Sequence, residues 1–282
     1  MAKVKTKDTS FQIGDAQIYI KSSQDMSDIK DGSVNLVITS PPYWTLKDYD
    51  NDAQIGTGST SYEAYIEELN KVWKECIRVL APDGKLCINI MPFLLTGKAA
   101  RFDRRETRLV LDDISRFMFE TNEMYQFGLF IWDKRKIVRF SSFGSYPYPP
   151  NIFTTYPYEW ITVFSKKGKR EPVPKEIKEK SKLTTKEWQD WAINSIWEMQ
   201  PAKAKSEEHP APFPDELPKR LIKLYSFWGD TVLDPFMGTG TTAKMALALG
   251  RKAIGYELNA DYAPLIKRKL NAVGQQYEID IK

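Results

Sequence analysis

A glycine-rich turn between two short apolar segments constrains the fold of this chain more than any other feature. Thr231–Asp234 is of buried-strand type, and a helix through Leu249 and a second strand, Lys252–Glu257, follow it. The turn before the helix contains Gly238 and Gly240. A strand, a helix and a strand in this succession form a βαβ unit, which belongs to a parallel sheet. The sequence therefore predicts an α/β fold, and a length of 282 residues allows one large domain with insertions or two small ones.

The acid at the end of the second strand indicates which ligand this turn could hold. Glu257 follows Gly238 by about 20 residues, the spacing at which an acidic side chain meets a ribose. A P-loop would need Gly-Lys-Ser or Gly-Lys-Thr, and a dinucleotide fingerprint would need a third glycine. Adenosine without phosphates needs only the glycines and the acid, and Asp234 would suit a cationic amino-acid moiety. These features indicate S-adenosylmethionine, and the alternative is a purely structural βα turn.

A second loop, Thr39–Trp44, follows the apolar strand Val34–Ile38. Its two prolines end the strand because they have no N–H for a ladder, and ligands of open α/β sheets bind at such strand ends. The Ser40 hydroxyl and the Pro41 carbonyl could accept hydrogen bonds from the exocyclic amine of a nucleobase and so direct its lone pair. Tyr43 could stack on a base flipped out of the duplex. The alternative is a Pro-rich turn whose aromatic rings are core.

Thr39–Trp44 and Asp234–Thr242 together resemble the paired motifs of exocyclic-amino DNA methyltransferases from bacterial and archaeal restriction-modification systems. The acceptor loop precedes the cofactor loop, as in the beta class of these enzymes, and Ser-Pro-Pro-Tyr is characteristic of the cytosine-N4 members. The resemblance covers most of the chain except roughly residues 97–125 and 165–205, and it includes Gly14-Asp15, Phe127–Lys134 and His209–Pro214.

The resemblance implies a Rossmann-like fold with a seven-stranded, mostly parallel sheet, one antiparallel strand and a circularly permuted motif order. The first, second, fourth and fifth strands are expected at 231–235, 252–257, 34–38 and 85–91. The implied catalytic residues are Ser40, Pro41, Pro42 and Tyr43. The implied cofactor is S-adenosylmethionine, with a binding set of Asp15, Thr39, Phe213, Asp234, Phe236, Gly238, Thr239, Gly240, Thr241 and Glu257.

The resemblance also implies a division of the chain. Residues 1–164 and 206–282 would form the catalytic domain, and 165–205 would form a target-recognition insertion together with the loop 141–158. Basic residues beside aromatic ones suit a nucleic-acid surface, although a solvated linker has the same composition. The candidate DNA-binding residues are Arg101, Arg104, Arg105, Lys166, Lys167, Lys169 and Arg170.

The scarcity of histidine and cysteine excludes several chemistries. The single histidine, His209, leaves no histidine triad or multi-histidine metal site, and no metal is expected. Cys76 and Cys87 are too few for a disulfide framework, and neither stands in the Pro-Cys context that cytosine-C5 methylation needs. Neither a signal peptide nor an apolar run of membrane-spanning length is visible, so the sequence predicts a cytoplasmic protein without a membrane partner.

The two motifs and the resemblance that they carry imply a site-specific enzyme that transfers a methyl group from S-adenosylmethionine to the N4 amine of a flipped cytosine in double-stranded DNA. A cognate restriction endonuclease would be its functional partner, and the enzyme would be a monomer or dimer. Adenine-N6 methylation is the alternative within the class. A non-catalytic DNA-binding module is the alternative from another class, and the long basic and aromatic insertions disfavour a small-molecule methyltransferase.

Overall fold

The structure, a computed structural model, describes residues 9–46, 54–56, 61–100, 102, 104–136, 143–144, 147–200 and 213–280. Its strands are β1 (Thr9–Ile13), β2 (Ala16–Ile20), β3 (Val34–Thr39), β4 (Leu80–Ile90), β5 (Phe93–Leu95), β6 (Glu106–Arg108), β7 (Met124–Asp133), β8 (Phe143–Gly144), β9 (Ile152–Phe153), β10 (Tyr158–Lys166), β11 (Ile196–Glu198), β12 (Thr231–Asp234) and β13 (Lys252–Tyr256). Its α-helices are α1 (Tyr62–Val79), α2 (Val110–Glu120), α3 (Lys175–Lys180), α4 (Thr185–Glu187), α5 (Glu216–Tyr225), α6 (Thr241–Ala248) and α7 (Ala263–Asp280).

One large sheet contains nine of these strands, in the order β1-β2-β13-β12-β3-β4-β10-β7-β11. From β2 to β4 all neighbours are parallel, and β10 runs antiparallel to both β4 and β7. The strands from β2 to β7 therefore confirm the expected sheet, mostly parallel with one reversed strand. Strand β1 extends one edge antiparallel to β2, and β11 extends the other parallel to β7.

The shared direction of the parallel strands gives the sheet a carboxyl edge and an amino edge. The carboxyl edge is where β2, β3, β4, β12 and β13 end, so the loops that follow Thr39, Asp234 and Tyr256 meet there. Because β10 is reversed, it begins at the carboxyl edge and ends at the amino edge. Ligands of open α/β sheets bind at the carboxyl edge.

Helix α1 forms where the sequence predicts it. Ser61 is its N-cap, and the Ser61 side chain accepts a hydrogen bond from the N–H of Ala64 at 3.1 Å. One face of the helix carries its buried residues, among them Tyr65, Leu69 and Trp73. This face packs in a hydrophobic cluster that also contains buried residues of β3, β4 and α2. None of the helices in the described part of the chain is long and apolar enough to cross a membrane.

A second hydrophobic cluster contains buried residues of β2, β4, β12, α5, α6 and α7. The two cysteines are both buried, Cys76 in the first cluster and Cys87 in the second. Cys87 lies within β4. The two hydrophobic clusters cover the sheet, and the loops at its carboxyl edge form the site.

The sequence Pro82-Asp83-Gly84 predicts a turn before a strand, but in the structure these residues form a bulge inside β4. Val34 pairs with Leu80, whereas Leu36 pairs with Lys85, so several residues of β4 have no partner on β3. Asp83, within this bulge, has a φ of 63°. The local turn signal was therefore correct, but pairing on both sides of it makes one strand.

The insertion predicted at 165–205 is joined to the main sheet. The sequence Thr184–Trp197, with apolar bulk from its three tryptophans, predicts a helix. In the structure α4 passes into a π-helical turn that ends at Ile193, and Ile196–Glu198 then forms β11. The Trp197 ring is buried and stacks on Phe130 of β7 with ring centroids 4.3 Å apart. Burial of this aromatic pair favours the edge strand over the helix, so this segment is not separate from the catalytic sheet.

Candidate active site

A cavity lies at the carboxyl edge, walled by the loops that follow β2, β3, β12 and β13 and by residues 54–55. Both sequence motifs contribute to it. The predicted residues that line the cavity are Ser40, Pro42, Tyr43, Phe213, Phe236, Gly238, Thr239, Thr241 and Glu257. The two loops that resembled an acceptor motif and a cofactor motif therefore face one space.

The glycine-rich turn depends on backbone conformations that favour glycine. Gly238 and Gly240 have φ angles of 52° and 87°. A Cβ atom on Gly240 would also approach the Cε of Met237 to 3.1 Å. The N–H of Met237 donates to the carbonyl of Tyr256 at 3.0 Å, which ties the turn to β13. The turn is thus held by its own backbone and leaves little side-chain bulk over the cavity.

Asp234 is buried beneath the turn and does not line the cavity. Its Oδ1 accepts hydrogen bonds from the Thr39 hydroxyl at 2.8 Å and the Phe236 N–H at 3.1 Å, and its Oδ2 accepts one from the Thr242 hydroxyl at 2.6 Å. Burial raises the pKa of Asp234 to about 6, although these hydrogen bonds oppose the rise. The carboxylate therefore joins the two loops, and it is not placed to receive the cationic moiety that the sequence suggested.

Glu257 follows β13 and lines the cavity. Its Oε1 accepts a hydrogen bond from the N–H of Asn259 at 2.7 Å. Burial raises the pKa of Glu257 to about 7, and hydrogen bonds from the backbone N–H groups of Asn259, Gly238 and Leu258 oppose the rise. A carboxylate has capacity for further donors, so this side chain can accept hydrogen bonds from ligand hydroxyls.

The Ser40 hydroxyl has a defined set of partners. It donates to the carbonyl oxygen of Asn89 on β4 at 2.9 Å. The hydroxyls of Ser40 and Tyr43 lie 3.1 Å apart. Since Ser40 has one proton and gives it to Asn89, Tyr43 is the donor in the second contact. The Tyr43 ring is buried and meets Phe93 edge to face, with centroids 6.0 Å apart.

The two proline carbonyls differ. The Tyr65 hydroxyl donates to the carbonyl of Pro42 at 2.7 Å. Among the described residues, no donor reaches the carbonyl of Pro41. The Pro41 carbonyl therefore keeps its full acceptor capacity, although Pro41 is buried and is not among the residues that line the cavity.

Sequence reasoning missed a further group of lining residues. Lys21, Ser22 and Ser23 follow β2 and line the cavity, as does Tyr256 of β13. The strand Ala16–Ile20 was predicted, but its direction in the sheet was not, and direction decides which end faces the ligand. Further lining residues that the sequence did not single out are Gln54, Ile55, Pro235, Met237, Leu258, Asn259 and Tyr262.

The structure contradicts the predicted role of Asp15. This residue precedes β2, and its carbonyl accepts the N–H of Ala253 at the start of β13. The cavity lies beyond the other end of β2, whose five residues span about 16 Å. Asp15 is a turn residue at the amino edge, as the simpler interpretation of Gly14-Asp15 would have it.

Two predicted cofactor residues act from behind the cavity. Thr39 and Gly240 are not among the lining residues. Thr39 contributes through its hydrogen bond to Asp234, and Gly240 forms the N-cap of α6. Both stabilise the loops and neither is exposed to a ligand.

The structure also contradicts the predicted role of Lys166. This residue ends β10 at the amino edge, and its Nζ donates to the carbonyls of Ile77 at 2.6 Å and Leu80 at 2.9 Å. Those carbonyls belong to the C-terminal end of α1, where a cation also meets the negative end of the helix dipole. Lys166 therefore stabilises a helix end at the amino edge, away from the cavity.

The neighbouring basic residues also lie at the amino edge, on the side of the sheet opposite the cavity. Arg170 forms hydrogen bonds of 2.8 and 2.5 Å with Asp230, directly before β12. Lys167 donates to the side chain of Asn122, and Lys169 is exposed. The chain at 166–170 thus follows the amino edge, which removes the basis for placing DNA there.

Other basic residues are close to the carboxyl edge. Arg104 and Arg105 are exposed and precede β6, whose partner β5 begins just after β4 ends. Arg135 and Lys136 follow β7 at the same edge and are exposed. Arg101, also predicted to bind DNA, lies outside the described residues.

The fold and the cavity define the class of doubly wound α/β proteins that bind a nucleotide-like ligand at the carboxyl edge. Within that class, residues 34–268 match the sequence model of the N6/N4 DNA methylase family. The chain belongs to this family and is a DNA methyltransferase.

Individual relatives agree with this assignment. The chain is 35% identical to the type II methyltransferase M.MthZI of Methanothermobacter thermautotrophicus, over 90% of this chain and 76% of that protein. It is 31% identical to TTHA0409 of Thermus thermophilus, solved in complex with S-adenosyl-L-methionine, with a TM-score of 0.70 over 90% of this chain and 94% of the other. The cytosine-N4-specific PvuII DNA methyltransferase shares the fold, with a TM-score of 0.64 and 17% identity over 93% and 91% of the two chains.

Proposed function

We propose that this DNA methyltransferase transfers a methyl group from S-adenosylmethionine to the N4 amine of a cytosine flipped out of duplex DNA. The hydrogen-bond state of Ser40 carries the proposal. Its proton is committed to Asn89 and one of its lone pairs to Tyr43, so the oxygen can only accept a further hydrogen bond. An exocyclic amine offers two N–H donors and needs acceptors to become a nucleophile.

A second acceptor is available in the same loop. The Pro42 carbonyl already accepts from Tyr65, whereas the Pro41 carbonyl has both lone pairs available, so we assign the other amine hydrogen to Pro41. Two fixed acceptors draw the nitrogen out of conjugation with the ring and towards tetrahedral geometry. Their effect is greatest as the nitrogen bonds to the methyl carbon, so they stabilise the transition state more than the bound base.

The cavity beside this loop fits the methyl donor. Two of its lining residues carry buried polar atoms without a partner among the described residues, the Tyr256 hydroxyl and the Gln54 Oε1. A polar ligand would supply those partners. Glu257 would accept from ribose hydroxyls, and the turn around Gly238 would allow close backbone approach. S-adenosylmethionine would supply an electrophilic methyl group on a sulfonium, and the protein residues would position the amine that attacks it. The electron pair of the broken C–S bond would leave with S-adenosylhomocysteine, and the methylated amine would release one proton to solvent.

The DNA face that we propose differs from the one expected from the sequence. It consists of Arg104, Arg105, Arg135 and Lys136, which are exposed near the carboxyl edge; Arg135 is paired there with Asp133 and Lys136 with Glu198. The loop between β7 and β10 begins and ends at that edge, and Tyr156 in this loop donates to the side chain of Thr107 on β6. Tyr148, in the same loop, is exposed. We therefore assign target recognition to this loop and to the β5–β6 pair. A cognate restriction endonuclease would act on the same DNA sequence.

The test is the identity of the modified nucleoside. Unmethylated DNA is incubated with the enzyme and labelled S-adenosylmethionine, digested to nucleosides and analysed by mass spectrometry. We expect N4-methylcytosine from the wild type and a large loss from Ser40→Ala. N6-methyladenine would instead assign the enzyme to the other branch of its family, and 5-methylcytosine would contradict the mechanism.

A binding measurement separates these outcomes from a protein that only binds DNA. Calorimetry with S-adenosylmethionine is expected to show a single site that Glu257→Ala weakens. Absence of S-adenosylmethionine binding by the wild type would contradict the cofactor assignment, whatever the result of the DNA methylation experiment.

A further inference from the structure

A buried polar cluster lies behind Ser40, formed by Asn89, Glu159 and Lys134. Asn89 is near the end of β4, Glu159 is near the start of β10, and Lys134 directly follows β7. Because β10 is reversed relative to its two neighbours, all three residues meet at the carboxyl edge. Asn89 is 3% exposed and Glu159 is 6% exposed. These residues lie far apart in the chain, and no local motif includes them.

The cluster is fully connected. The Nδ2 of Asn89 donates to Glu159 Oε2 at 2.5 Å, and the Nζ of Lys134 forms an ion pair with Glu159 Oε1. Lys134 Nζ also lies 4.1 Å from the centre of the Trp132 ring. The cation thus has two partners that restrain it, and it compensates the charge of a carboxylate that is otherwise shielded from water.

The Glu159 carboxylate determines which end of the Asn89 side-chain amide faces it. A carboxylate that is paired with Lys134 can only accept, so the amide must direct its NH₂ group towards it. The amide oxygen, Asn89 Oδ1, is consequently buried without a donor among the described residues. Such an orphaned acceptor destabilises a protein, which argues that the cluster serves something other than stability.

Asn89 connects this cluster to Ser40. The carbonyl of Asn89 accepts the Ser40 hydroxyl proton, while the side chain of the same residue is held by Glu159. If Asn89 shifted, the Ser40 hydroxyl could rotate and point its proton at the amine lone pair. A hydroxyl in that orientation would oppose the reaction, since it would bind the electron pair that must attack the methyl group.

We propose that Glu159 and Lys134 are positioning residues for methyl transfer, which act through Asn89 to keep Ser40 a hydrogen-bond acceptor. The proposal rests on the role of Ser40 given above and extends it to two strands outside the acceptor loop. It does not depend on whether the amine belongs to cytosine or adenine, because both present the same two hydrogens.

The test compares variants of the cluster with a matched ion pair. Glu159→Ala and Lys134→Met should lower the single-turnover rate of methyl transfer to unmethylated phage DNA by about 10- to 100-fold. Their affinities for S-adenosylmethionine and for DNA should remain within about twofold of the wild type. Asp230→Ala breaks the Arg170–Asp230 pair, which is also shielded but lies at the amino edge, and should lower thermal stability without this loss of rate.

A neutral pair provides the rescue. Lys134→Met leaves a buried carboxylate without its cation, whereas the double variant Lys134→Met/Glu159→Gln keeps an amide oxygen for the Asn89 NH₂ group. The double variant should therefore be faster than Lys134→Met alone. Equal rates in the two, or a rate loss in Asp230→Ala as large as in Glu159→Ala, would show a general structural effect and overturn the proposal.

Combination with Ser40→Ala separates this inference from the proposed function. If Glu159 acts through Ser40, then Glu159→Ala should cost little rate once Ser40 is alanine. Independent, multiplying losses would overturn the positioning role and leave the function of Ser40 intact. A wild-type rate in Ser40→Ala would contradict the proposed function itself, and a rate loss in Glu159→Ala that persisted there would then need another cause.

Discussion

Thr39 and Asp234, which lie 195 residues apart in the chain, share a buried hydrogen bond of 2.8 Å. Thr39 ends β3 and begins the acceptor loop, whereas Asp234 ends β12 and begins the glycine-rich turn. The two strands are parallel neighbours, so the bond closes the gap between their ends. The acceptor loop and the glycine-rich turn are thus fixed relative to one another by one carboxylate.

Thr39→Val should loosen this connection. Valine has the shape of threonine but cannot donate, so the buried Asp234 carboxylate loses one of its three partners. We expect a loss of about 1–3 kcal/mol in the free energy of unfolding. The loss should be larger at pH 7.5 than at pH 4.5, because the hydrogen bond from Thr39 lowers the pKa of Asp234 and stabilises the charged form. Urea denaturation at the two pH values measures both effects.

Thr185→Val is the matched control, because Thr185 is exposed on α4. Its stability should stay within about 0.5 kcal/mol of the wild type. An equal loss in the two variants would indicate that the hydroxyl of Thr39 has no special role.

Glu257 should make the protein less stable as the pH rises from about 4.5 to about 7. Its pKa is raised from 4.5 to about 7 in the folded protein. In that window the unfolded chain has released the proton while the folded protein still binds it, so the free energy of unfolding falls with rising pH. Glu257→Gln removes this contribution. The wild type should therefore lose stability relative to the variant across the window, as measured by denaturation at several pH values.

Asp234 has a shift in the same direction, and both proteins in this comparison retain it. The difference between the two stability curves therefore isolates Glu257. A difference that does not change with pH would refute a raised pKa at this position.

Tyr43→Phe should reduce the rate of methyl transfer, although stacking alone predicts that phenylalanine would suffice. The Tyr43 hydroxyl donates to Ser40 at 3.1 Å, and its loss leaves the Ser40 oxygen less well oriented. We expect a fall in kcat of about 2- to 10-fold, the value of one neutral hydrogen bond. Tyr43→Ala should also lose the stacking of the ring on the base, worth about 1–3 kcal/mol. This additional loss should be measured as weaker DNA binding. An unchanged kcat in Tyr43→Phe would show that stacking is the whole contribution of this residue.

Arg104 and Arg105 should contribute to the salt dependence of DNA binding, and Lys167 and Lys169 should not. Each phosphate contact adds about 0.9 to the slope of log K against log salt concentration. Replacing both arginines by alanine should therefore lower the slope by up to about 2. The double alanine variant of Lys167 and Lys169 removes the same charge at the amino edge and should leave the slope unchanged. Fluorescence anisotropy over a salt series measures both, and the reverse result would restore the surface expected from composition.

The parts that the sequence by itself determined are those in which neighbours in the chain decide the conformation. Pro41 ends β3 because it lacks an N–H, and the glycines at 238 and 240 define a turn with positive φ angles. The cap at Ser61 and the apolar face of α1 are equally local. These signals were sufficient for the βαβ unit, for the end of β3 and for α1, whereas the arrangement of the strands and most of the cavity-lining residues came from the resemblance to a family.

Tertiary structure alone decided the partners of the charged and polar side chains. Composition cannot show that Lys166 meets the end of α1, or that Glu159 turns the amide of Asn89, because the partners come from distant parts of the chain. It also cannot show that Trp197 is more stable as a buried edge-strand residue than as part of a helix. A charge or an aromatic ring has many possible partners in the sequence, and only the packing of the strands chooses among them. Local backbone preferences therefore determine where the strands end and the site loops begin. Long-range contacts determine which side chains contact one another at the site.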